Sequence, residues 1–130
     1  MDSIKVSNIE LVDHIQEQAQ KGVRFVLTAS TSAGAELIKQ ILVRLDAWGL
    51  GVILANNMTN DELMEDVQED DYRAVVTYHK PQADLLARNL TGSNWMFAGI
   101  SEKGAVIFPQ ELLVKLLNAG NVDITKARYV

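Results

Sequence analysis

The sequence predicts an α/β protein: a three-layer α/β/α sandwich with a mostly parallel central sheet of about five strands. Three observations predict it. Short β-branched runs alternate three times with amphipathic helical stretches between residues 23 and 90. The intervening lengths suit right-handed crossovers. The alternation then gives way to two apolar runs, "NWMFAGI" and "AVIF", separated only by "SEKG".

A helix is expected before the first strand, in "VSNIELVDHIQEQAQKG". Ser7 is its expected cap, with Glu10 completing a capping box, Val6 and Leu11 a hydrophobic staple, and Gly22 the stop. "VRFVLTA" (23–29) follows as a strand. "AELIKQILVRLDAWG" then places Leu37, Ile38, Ile41, Leu42, Leu45 and Trp48 on one helical face.

The second unit pairs "LGVILAN" (50–56), read as a strand buried on both faces, with an acidic helix over residues 59–71 capped by Thr59 and Glu62. The third pairs "YRAVVTYH" with a helix opened by Pro81. "SEKG" is too short for a parallel crossover, so the last strand is expected antiparallel, in a hairpin turned at Gly104. "PQELLVKLLNAG" closes the fold as a helix. Residues 121–130 are expected to be a flexible or docking tail, with Val122, Ile124, Tyr129 and Val130 apolar enough to dock. All 130 residues are read as one domain.

A hydrophobic fraction of 48% and a charged fraction of 22%, without low-complexity tracts, argue for an ordinary globular chain. The net charge of −5, with Lys and Arg scattered singly, argues against nucleic-acid or anionic-membrane binding. No stretch reads as a membrane span or a signal peptide, so the expected location is cytoplasmic. The absence of cysteine excludes disulfides, thiolate catalysis and cysteine-ligated metals. The two histidines lack metal-binding spacing, so no metal is expected.

Parallel strands gather their carboxyl ends on one edge, where ligands of open α/β sheets sit. The candidate ligand residues there are Ser30, Thr31 and Ser32 after the first strand, Asn56 after the second, and His79 and Lys80 after the third. Small hydroxyls beside a helix start can complete an anion cradle, and Gly34 would let a ligand oxygen approach the backbone. The same residues also suit ordinary helix capping. "STSAGAE" resembles the hydroxyl-rich phosphate loop of flavodoxins, which would bring Tyr78 and Trp95 beside a flavin ring. Ala33 and Ala35 stand where that pattern has Gly and Thr, and no cofactor is expected.

Neither a Walker loop, nor a Gly-x-Gly-x-x-Gly turn, nor a Gly-x-Ser-x-Gly elbow is present, and no catalytic set emerges. The segment "NDELMEDVQEDD" holds seven of the 17 carboxylates and no basic residue. The favoured expectation is therefore a non-enzymatic binding or regulatory module that meets a basic protein surface through Asp61, Glu65, Asp66 and Glu69. The alternative is a site for an anionic or phosphorylated small molecule at the carboxyl edge. Exposed strand edges would also allow a homo-oligomer.

Overall fold

Phe25, Leu27 and Ala29 alternate with Val26 along one strand, and this two-residue period divides the buried side chains into two clusters, one on each side of a sheet. The computed structural model describes residues 3–69, 72–90, 94–120, 122–126 and 128–129. Their order is β1 (Ile4–Ser7), α1 (Asn8–Gln20), β2 (Arg24–Ala29), α2 (Ser32–Ala47), β3 (Gly51–Leu54), α3 (Asn60–Asp66), β4 (Tyr72–Val76), α4 (Lys80–Asn89), β5 (Trp95–Ser101), β6 (Gly104–Pro109) and α5 (Gln110–Ala119). A short β7 (Val122–Asp123), a 3-10 turn (Ile124–Lys126) and β8 (Arg128–Tyr129) follow. The protein is thus mixed α/β, with five α-helices and a six-stranded mixed sheet among the described residues.

The strand order is β1-β6-β5-β2-β4-β3. β5 with β2, β2 with β4, and β4 with β3 pair parallel; β6 pairs antiparallel with both β5 and β1. The hairpin turn uses Gly104 at φ +121°, as expected. A Cβ there would lie 2.0 Å from the Val6 carbonyl oxygen, so this glycine also lets β1 approach.

Three expectations need correction. The first helix is not the first element, because β1 precedes it and brings the sheet to six strands. Val6 is buried and its neighbours are exposed, but four residues of alternation are too few to stand out from a helix lead-in. Ser7 makes no side-chain cap to α1, since it is still paired with Gly104 in the ladder. β3 was expected to be buried on both faces, but it lies at an edge of the sheet, with Leu54 64% exposed.

α1 and α2 pack Leu11, Ile15, Ile38, Ile41 and Leu45 into the first cluster, against Phe25, Leu27, Val76 and Ile100. α3, α4 and α5 pack Leu63, Leu86 and Leu113 into the second, with Val26, Val75, Phe97 and Phe108. Each such fully buried side chain contributes about 1.5–3 kcal/mol of transfer free energy. Ile124 is fully buried in the second cluster, so this part of the chain end docks against the core, while β7 and β8 pair antiparallel. Val130 lies outside the described residues.

Candidate functional site

β2 and β4 are neighbours, yet the helices leaving them go to opposite sides of the sheet. α2 enters the first cluster and α4 the second. In open α/β sheets the carboxyl edge between two strands with such a reversal is the usual position for a ligand. Ser30–Ser32 and Thr77–Lys80 border this point, and Asn56 joins them from β3 by accepting a hydrogen bond from the Tyr78 amide at 3.2 Å. All six candidate ligand residues therefore lie on one rim, and all six are exposed.

Several of them have structural work there. Thr31 caps α2 by accepting the Gly34 amide at 3.0 Å. Lys80 is paired with Asp84 one turn along α4. Asn56 bridges two strand ends. The Gly34 expectation is corrected: a Cβ there would lie 2.4 Å from the Ile100 carbonyl oxygen, so this glycine serves close packing of α2 on β5 rather than approach of a ligand. The Tyr78 hydroxyl is raised above its ordinary pKa by burial, with Lys39 pulling it down and Glu36 pushing it up.

Beneath the rim, the buried Thr77 hydroxyl donates to the Gln82 side-chain oxygen and accepts the His79 amide at 3.3 Å, and the Gln82 amide donates to the Ala55 carbonyl at 2.7 Å. This chain ties α4, β4 and the end of β3 together. Sequence reasoning missed it, because Gln82 looked like an ordinary first-turn residue. Thr28 lies alongside, fully buried, and its hydroxyl has no hydrogen-bond partner among the described residues.

Trp95 lies at the start of β5, paired in register with Arg24, so it is at the opposite edge from Tyr78 and cannot share a ring site with it. Its partner is the Arg24 guanidinium, 4.2 Å from the ring centroid. Arg24 also donates to the carbonyls of Val67 (2.7 Å), Glu69 (2.9 Å) and Tyr72 (3.0 Å). This gathering of carbonyls occurs where α3 ends, at Asp66, shorter than the expected 59–71. Glu69 therefore sits beyond the helix, and Asp70 and Asp71 lie outside the described residues.

α3 starts as expected, with a reciprocal capping box between Thr59 and Glu62. Asp61, Glu65 and Glu69 are exposed and Asp66 is half-buried. None of these four forms a salt bridge among the described residues; the ion pairs are Lys21–Glu17, Lys39–Glu36, Arg44–Asp13 and Lys80–Asp84. A groove of about 460 Å³ between α1 and α2, lined by Ile9, Val12, Val43, Lys39 and the Asp13–Arg44 pair, was not anticipated. Its signal was present in Ile9 and Val43, which fall off the buried stripes of their helices.

The chain matches no family model, no curated protein and no solved structure.

Proposed function

We propose that this chain is a small, non-enzymatic binding or regulatory module of the cytoplasm that acts through protein contacts, with α3 and Glu69 facing a partner of basic surface. The supporting observation is the local concentration of charge: Asp61, Glu65, Asp66 and Glu69 lie together without a cationic neighbour in salt-bridge range among the described residues. Unneutralised carboxylates raise the encounter rate with a basic surface and give an interaction that weakens with salt. Neither nucleic acid nor a membrane surface fits this charge. The finer architecture belongs to the same reading: one domain, a Rossmann-like three-layer sandwich with a mostly parallel sheet.

The test is affinity recovery from extracts at low and at physiological salt, comparing the wild-type chain with Asp61→Asn/Glu65→Gln/Asp66→Asn/Glu69→Gln. Recovery of basic proteins that depends on salt and on these four carboxylates is expected. Identical recovery by both chains would contradict the reading.

A second reading, favoured by the reversal between β2 and β4, is an anionic or phosphorylated small molecule at Ser30, Thr31, Ser32, Asn56, His79 and Lys80. It predicts that inorganic phosphate, nucleotides or sugar phosphates raise the melting temperature, and that Lys80→Ala abolishes the rise. No ligand-dependent rise would remove it.

A further inference from the structure

We infer that β3 is an acceptor for strand addition, taking an extended partner segment in which basic and apolar side chains alternate. This deepens the α3 reading and rests on it for the charge of the partner. Ala55 donates its amide to Val76 of β4 at 2.9 Å. By the two-residue period of a strand, Ile53 also faces β4, while the backbone groups of Val52 and Leu54 face away from the sheet. Among the described residues, β3 has a neighbour on one side only.

Edge strands normally carry a deterrent to further pairing: a charge, a proline, a bulge or a cover. The sequence of β3 is Gly-Val-Ile-Leu, with no charge and no proline, and its one irregularity is a register shift between Gly51 and Val52 at the far end from Leu54. A strand composed for burial thus lies at an exposed edge, and an added strand would cover it.

Charge decides the occupant. α3 follows β3 in the chain, and its Leu63 together with Val67 enters the same cluster as Ile53, so α3, with Asp61 and Glu65 exposed on it, lies on that face of the sheet. The side chain of Leu54 alternates to the other face, where it is exposed. An incoming strand would therefore meet carboxylates with one set of alternate side chains and an apolar surface with the other. A second copy is a poorer fit. Antiparallel pairing of two β3 strands requires a twofold axis perpendicular to the sheet, which keeps both α3 helices on the same face and sets like charges side by side.

The test uses the full chain and a capped peptide of alternating lysine and valine, titrated at low ionic strength. Binding is expected, with slowed exchange of the Val52 and Leu54 amides. Leu54→Pro removes an outward N–H and no ladder bond to β4, and is expected to weaken binding roughly tenfold while the circular dichroism spectrum stays wild-type. The same peptide N-methylated at alternate amides keeps its charge and is expected to bind as poorly. Asp61→Asn/Glu65→Gln is expected to weaken binding and flatten its salt dependence. Equal binding of the N-methylated and unmethylated peptides would overturn strand addition and leave the α3 reading standing. Binding lost in Leu54→Pro but unchanged in Asp61→Asn/Glu65→Gln would overturn the basic partner. No binding of the unmethylated peptide to the wild-type chain would overturn strand addition outright.

Discussion

At one edge of the sheet β1 offers Ile4, Lys5, Val6 and Ser7; at the other β3 offers Gly51, Val52, Ile53 and Leu54. β1 alternates, burying Val6 and exposing the rest, and Lys5 gives that edge a charge. The chain that follows is anchored as well, since the Asn8 side chain donates to the Glu102 carbonyl at 3.0 Å. β3 has no charged residue of its own; its neighbour β4 carries Arg73, and the chain leaving β3 runs into the acidic α3. One edge is guarded by its own sequence. The other is guarded only if something binds there, and the proposed partner follows from that difference.

The comparison can be broken most severely at Gly104. Gly104→Ala places a methyl group against the Val6 carbonyl at a left-handed φ, and is expected to cost about 3 kcal/mol or more and to release β1. Denaturant unfolding measures the loss, and exchange of the β1 amides shows whether that edge has come away.

Next in size is a contrast within β3 itself. Ile53→Ala is expected to destabilise the protein by roughly 2–4 kcal/mol because that side chain is 5% exposed, whereas Leu54→Ala should stay within about 0.5 kcal/mol. Equal losses at the two positions would mean that Leu54 is covered. The smallest effect is expected from Asp61→Asn/Glu65→Gln/Asp66→Asn/Glu69→Gln, which should move the melting temperature by less than about 4 °C. A large drop would show those carboxylates to be part of the fold rather than a free surface.

The alternating units were legible in the sequence because their signals are local. Thr59 and Glu62 announce α3, Gly104 the hairpin, Pro81 the start of α4 and Gly120 the end of α5. Strand order is not local. An apolar run such as "GVIL" reads as a strand buried on both faces, and only the path of α2 across β4 takes it to the edge. β1 was missed for want of length. The rim was legible in outline, because parallel strands must bring their ends together, so Ser30, Asn56 and His79 do share an edge. That Thr31 caps a helix was legible as well, because the Gly34 amide lies three residues on, whereas the bond Asn56 accepts from Tyr78 was not, since it spans 22 residues and is set by packing. Arg24 likewise read as an ordinary strand residue, yet it gathers three carbonyls and stacks on Trp95.

Residue-resolved amide exchange on the free protein tests the placement of β3 most directly. The account predicts rapid exchange at Val52 and Leu54 beside slow exchange at Ile53 and Ala55, the pattern of a strand paired on one side. Protection at Val52 and Leu54 equal to that at Ile53 would mean both sides of β3 are already occupied, and the open edge would be contradicted.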